Sequence, residues 1–214
     1  MKKITKFFTL MIISVCTCGM TACLGDDQDL ESNVYTSTEA AQILKQMRGD
    51  YYGTFYIQHI DPTAESGVKG DSVLNVPLRL TDNDSIAHVS FPVKLLANAI
   101  NGNDKLKEAV AALDALPFKL KVVLVKNSSS QNYVFYPVPL DSFTFNVNYE
   151  EETHEVTLAF ASSLLHNYQY YYAQGQYSIA DKAFAFYLLP KQMTLDGTTS
   201  VSLTTCPMFY VGKQ

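Results

Sequence analysis

The chain has 214 residues, 47% of them hydrophobic and 12% aromatic, with 16 lysines and arginines against 21 aspartates and glutamates, for a formal net charge of −5. That is enough apolar material for one packed core, and no Pro/Gly/Ser-rich linker or internal repeat divides it. A negative surface repels phosphate backbones and anionic headgroups, which argues against nucleic acid as a partner.

Lys2, Lys3 and Lys6 open the chain, Phe7 to Val15 follow as an apolar stretch, and Met20-Thr21-Ala22 lead into Cys23. A spanning helix needs about 20 apolar residues, roughly twice what is present, so residues 1–22 read as a secretory signal. Met20-Thr21-Ala22-Cys23 resembles the lipobox of bacterial lipoproteins, with Met where Leu is commoner. The resemblance implies that Cys23 is acylated, becomes the new N-terminus and attaches the protein to a membrane; several acyl chains on one residue hold firmly where one is marginal. Without residues 1–22, 13 cations face 21 anions, a side-chain charge of −8. Cys16 and Cys18 leave with the signal and Cys23 is consumed by lipid. Cys206 is then the single remaining thiol, so no intramolecular disulfide is available, and it is expected as a small buried apolar residue.

Leu24-Gly25-Asp26-Asp27-Gln28-Asp29 begins a polar run that reads, with Cys23, as a tether over residues 23–36. Fully extended it reaches about 40 Å from the bilayer. Its acidic pair resembles the export signal of many Bacteroidetes lipoproteins, which implies an outer-membrane anchor facing the cell surface rather than the periplasm. One β-rich domain then spans 37–214.

The domain opens with a helix: Thr36 and Glu39 form a capping box, Ala40, Ile43, Leu44 and Met47 recur at helical spacing, and Gly49 stops the run. Tyr51 to Ile60 reads as a strand ending at Asp61-Pro62, and Ser72 to Leu80 with Ser85 to Phe91 as a hairpin across Asp82-Asn83-Asp84. A short helical segment over Val93 to Ile100 precedes a second, capped at Asn103 or Asp104, carrying Leu106, Ala109, Val110 and Leu113 on one face and ended by Pro117. Strands follow at Phe118 to Val125, Tyr133 to Val138, Phe143 to Tyr149 and Val156 to Phe160. Further strands are expected at Gln176 to Ala180, Ala183 to Leu189, Ser200 to Thr205 and Met208 to Val211.

Eight to ten short strands make a mainly β, antiparallel meander that must close as a barrel or pair its faces as a flattened sandwich, with one short N-terminal helix and a helical insertion near 93–116. Gly49-Asp50-Tyr51-Tyr52-Gly53-Thr54-Phe55, a helix passing through glycine into an aromatic strand, resembles the entry of lipocalin-type barrels, although the chain has no tryptophan. The anchor, that entry and Phe91-Pro92-Val93 ahead of a helix together resemble an uncharacterised family of Bacteroidetes lipoproteins, a domain of unknown function. The resemblance implies fold and address and brings no catalytic residues.

His59, His88, His154 and His166 lack the spacing of a zinc site, and there is no nucleophile elbow or phosphate loop. Asp82-Asn83-Asp84 and Glu150-Glu151-Glu152 read as solvated turns rather than calcium loops. No metal, cofactor or catalytic residue is assigned, and the reading leans away from an enzyme. The nearest thing to a binding signal is His166 to Tyr177: if extended, Tyr168, Tyr170 and Tyr172 share a face on which a sugar or aromatic ligand would stack, against the plainer reading of one buried tyrosine face. The expectation is a lipid-anchored, non-catalytic module binding a small apolar molecule, a glycan or a partner protein. Two alternatives stand beside it: an assembly or adhesion component, and a hydrolase whose carboxylates come from distant strands. What separates them is spatial, namely whether His88, His154 or His166 meets a carboxylate inside one pocket.

Overall fold

Thr36 starts the first helix, α1 (Ser37–Met47), as the capping box requires: the Glu39 amide donates to the Thr36 hydroxyl at 3.3 Å and the Thr36 amide donates to the Glu39 carboxylate at 2.8 Å. The computed structural model describes residues 35–60, 68–81, 85–127, 131–166 and 169–214. Cys23 with the signal, the Asp82-Asn83-Asp84 turn and Tyr168 lie outside them.

Among the described residues fourteen strands follow α1. They are β1 (Gly49–Ile60), β2 (Val68–Leu80), β3 (Ile86–Phe91), β4 (Leu116–Val125), β5 (Asn132–Pro139), β6 (Phe143–Tyr149), β7 (Glu152–Phe160), β8 (Ser163–His166), β9 (Gln169–Tyr172), β10 (Gly175–Ser178), β11 (Ala183–Leu188), β12 (Pro190–Leu195), β13 (Thr199–Val201) and β14 (Met208–Lys213). Eight of them close an antiparallel barrel in the order β1-β14-β11-β10-β5-β4-β3-β2, which decides barrel over sandwich. The chain leaves that barrel twice, after β5 and after β11, and the two excursions meet as a four-stranded sheet, β13-β12-β7-β6. The seam between β1 and β14 sets Gly53 opposite Gly212. A Cβ on Gly53 would collide with the Val211 carbonyl, so the close approach of the two backbones there requires glycine.

Side chains fill the interior, as the width of an eight-stranded barrel allows. Tyr51, Phe55, Phe91, Phe135, Phe184, Phe186 and Tyr210 are fully buried. Phe55 meets Phe91, Phe186 and Tyr210 at centroid separations of 5.6, 6.0 and 5.3 Å, within the range of favourable aromatic pairs. At Gly175 a Cβ would enter the Phe135 ring, which lies across the missing side chain. α1 covers one end of the barrel with Ile43 and Met47. At the other end sit a 3₁₀ helix (Val93–Ala99) and α2 (Asp104–Ala111), capped by the Asn103 side-chain Oδ1 accepting from the Leu106 amide at 3.0 Å. There Phe91 and Phe118 each lie 5.1 Å from Phe143, joining the barrel core to the inner face of the second sheet.

Four points of the sequence reading need correction. α2 ends at Ala111, and Pro117 lies inside β4 opposite Ser90. Because the Val122 amide bonds to Ser85 toward β3, residue 117 faces the other side, beyond the end of the β4–β5 ladder, where a missing N–H costs nothing. The strand expected at Ser200 to Thr205 shrinks to β13, because the Thr204 amide bonds to Ala99 and the Asn101 amide to Ser202, tying this segment to the 3₁₀ helix. β12, which had no place in the sequence reading, carries Met193 and Leu195 inward. The tyrosine segment is not one extended run: β9 pairs with β8 as a hairpin and β10 restarts at Gly175.

Candidate functional site

The barrel wall is incomplete on one side because β10 has only four residues. It pairs with β5 from Ser178↔Asn132 to Gly175↔Phe135 and goes no further. A continued ladder would set Ala173 opposite Pro137, but the Ala173 amide instead donates to Ser162 at 2.7 Å and the chain peels off toward β9. This leaves residues 136–139 of β5 as an open edge facing Leu188 at the end of β11. The gap is a cleft of about 790 Å³, bordered by Tyr136 to Ser142, by Leu158 to Ser163 at the exit of β7, and by Tyr172, Ala173, Leu188 and Leu189.

Ladder alternation fixes what that edge offers. The Leu140 amide bonds to Lys119 on β4, so even-numbered residues of β5 direct their N–H and C=O toward β4 and odd-numbered ones toward β10. Residues 137 and 139 therefore face the gap, and both are proline. Their carbonyls remain, and they have no N–H to give. Proline is the usual protection of an exposed edge against pairing with another strand. Outside the barrel, Tyr136 (45% exposed), Val138 and Leu140 line up along β5, with Tyr172 (47% exposed) also bordering the cleft. Of the three tyrosines singled out by sequence, Tyr172 is thus at this site, Tyr170 lies on β9 with its side chain outside the description, and Tyr168 lies outside the described residues altogether. Sequence reasoning missed Tyr136 and the edge, although Pro137-Val138-Pro139 within an otherwise regular strand was the available signal.

The α1 end is built differently. The Tyr51 hydroxyl donates to the Met47 carbonyl, that of Tyr177 to the Gln46 carbonyl at 3.3 Å, and that of Tyr133 to the Gln46 side chain at 2.9 Å. Gln214 donates to the Arg48 carbonyl at 2.8 Å. Burial pushes the Tyr51 and Tyr210 hydroxyls well above the ordinary phenol range. Burial likewise pushes the Cys206 thiol up to about 11, which leaves it unreactive near neutral pH.

His88 lines a shallower groove of about 320 Å³ on the outer wall, where Asp50, Arg79, His88 and Lys119 stand side by side on β1 to β4. Arg79 lies 3.7 Å from Asp50, an exposed pair of little energetic weight. His154 meets a carboxylate, Asp196, at 2.8 Å, and its ring centroid lies 4.6 Å from that of Tyr149. Bonds from His154 and the Glu155 amide hold the Asp196 carboxyl below its usual range. Neither residue lines the cleft or the groove. The pair fastens the turn after β12 to β7. Glu150, at the tip of the β6–β7 hairpin, is paired with Lys105 at 3.1 Å. The side chains of His59 and His166 lie outside the description.

A family model for a domain of unknown function, DUF4840, matches residues 46–195. The chain belongs to this family. The DUF4840 match takes in seven of the eight barrel strands, leaving out only the closing strand β14, and it contains every residue of the cleft and of the groove. No curated protein and no solved structure matches the chain.

Proposed function

We propose that this DUF4840 protein is a non-catalytic binding module, anchored in the outer membrane by acyl chains on Cys23 and facing the cell surface, that takes a small ligand in the cleft between β5 and β11. The cleft carries this reading. Its volume of about 790 Å³ falls inside the range of about 300–1,000 Å³ common to ligand pockets, and its walls are mainly apolar with a few polar groups. A closed eight-stranded barrel is also the strand number of lipocalins, which supports the likeness read in Gly49 to Phe55. Here, however, aromatic rings occupy the interior and the ligand space is moved into the wall. The lipobox, the acidic tether and the likeness to Bacteroidetes lipoproteins support the address.

Among the described residues Asp141 is the one carboxylate bordering the cleft, whereas glycoside hydrolysis uses two set about 5–10 Å apart, so binding is favoured over hydrolysis. The His154–Asp196 pair, away from the cleft, does not alter that preference. Two measurements test the proposal. Metabolic labelling with a fatty acid is expected to mark the wild-type protein and not Cys23→Ala, and protease added to intact cells is expected to remove the domain. A ligand recovered from the protein is expected to be lost on Tyr172→Ala with the thermal melt unchanged; retention in a folded variant would place binding elsewhere.

A further inference from the structure

The cleft's hydrogen-bonding character narrows what it holds, given the binding reading above. We propose that its ligand is a neutral saccharide. The open edge of β5 presents the carbonyls of Pro137 and Pro139 and no amide, so it accepts and does not donate. A peptide strand adding to an edge needs donors and acceptors in alternation from that edge, and the two prolines withhold every second group. A purely aliphatic ligand would cover the carbonyls without bonding them, which penalises its entry. Sugar hydroxyls supply donors, and the C–H faces of a pyranose suit the electron-rich faces of Tyr136 and Tyr172, both about half exposed at the cleft. Asp141, the charged group at the rim, repels acidic sugars and accepts from hydroxyls. The acceptor-only edge, the two tyrosine rings and the carboxylate thus select the same chemistry: a ligand rich in donors, apolar on its faces and without negative charge.

The test is calorimetric titration of the full chain in detergent with neutral gluco-, galacto-, manno-, xylo- and N-acetylglucosamine hexamers, with oligogalacturonate as the anionic comparison. Saturable binding of at least one neutral hexamer is expected, and none of oligogalacturonate. Affinity should fall about tenfold or more in Tyr172→Ala and in Tyr136→Ala, corresponding to loss of one ring contact, and stay within about twofold in the Tyr→Phe variants. Nile red and an extended apolar peptide are titrated alongside. If either binds in a Tyr172-dependent way while no neutral hexamer does, the saccharide assignment is overturned and the cleft survives as a binding site. If none of the probes binds a chain with an unchanged melt, the saccharide assignment and the binding reading fall together.

Discussion

At the α1 end, the tyrosine hydroxyls of Tyr51, Tyr133 and Tyr177 all find acceptors on the last turn of the helix, whereas at the gap between β5 and β11 two carbonyls face outward and the amides that would accompany them have been replaced by proline rings. Both regions use tyrosine, and they use it for different ends. Buried rings with satisfied hydroxyls contribute area and a bond, and so hold the fold. Half-exposed rings beside an edge that has no strand partner among the described residues contribute little to folding. Burial together with hydrogen-bond completion, rather than residue type, separates the two sets of tyrosines.

The largest expected effect comes from removing a ring on the filled side. Phe55→Ala should cost about 3–5 kcal/mol in chemical denaturation, while Tyr172→Ala should stay within about 0.5 kcal/mol. Comparable losses at the two positions would erase the contrast. Next, Pro137→Val with Pro139→Val restores two donors to the open edge, and the doubly substituted protein should self-associate where the wild type does not, as read by light scattering. A monodisperse variant would mean that the edge is covered.

Tyr51→Phe removes the bond to Met47 and should cost about 1–2 kcal/mol without altering ligand affinity at the cleft. The same burial sets an alkaline limit. Because folding raises the Tyr51 and Tyr210 values above those of the unfolded chain, the neutral phenols' contribution is complete below about pH 10 and is lost as pH rises through the folded values. Phenolate absorbance at those two tyrosines should therefore appear together with unfolding rather than before it. The smallest effect lies at Asp196. Its folded value is depressed, so its contribution is present above the ordinary carboxylate range and lost as pH falls through the folded value. Asp196→Asn should lower the neutral-pH melt slightly and leave the melt at the acid end almost unchanged, so that the acid limb of melting temperature against pH flattens.

Much of the scaffold was legible because its signals are local. Thr36 with Glu39, Asn103 ahead of Leu106, and the alternation of Phe143, Phe145 and Val147 are chemical statements made within a few residues. The closure of the sheet was not, since periodicity reports which face is buried and says nothing of which strand β1 meets. β12 escaped because Pro190, Lys191 and Gln192 dilute its alternation, while its pairing with Phe160 to Val156 on β7 decides its place. The cleft is harder still: it exists because β10 ends and Ala173 turns to Ser162, an event visible only once β5, β7 and β10 are set beside one another. Tyr172 was singled out through its alternation with Tyr168 and Tyr170, whereas Tyr136, which also borders the cleft, lay in a strand that looked ordinary.

Gln214 reaches Tyr51 across 163 residues of sequence, and the seam it locks joins β14 to β1. A chain released as far as β13 is still a curled ribbon with β1 and β11 exposed along their lengths, and it becomes a tube only when β14 arrives between them. Closing so long a loop is entropically expensive and is rewarded late, the pattern of slow folding. Such a latch works as a timer: the closed tube is withheld until β14 has been made and has found both of its neighbours.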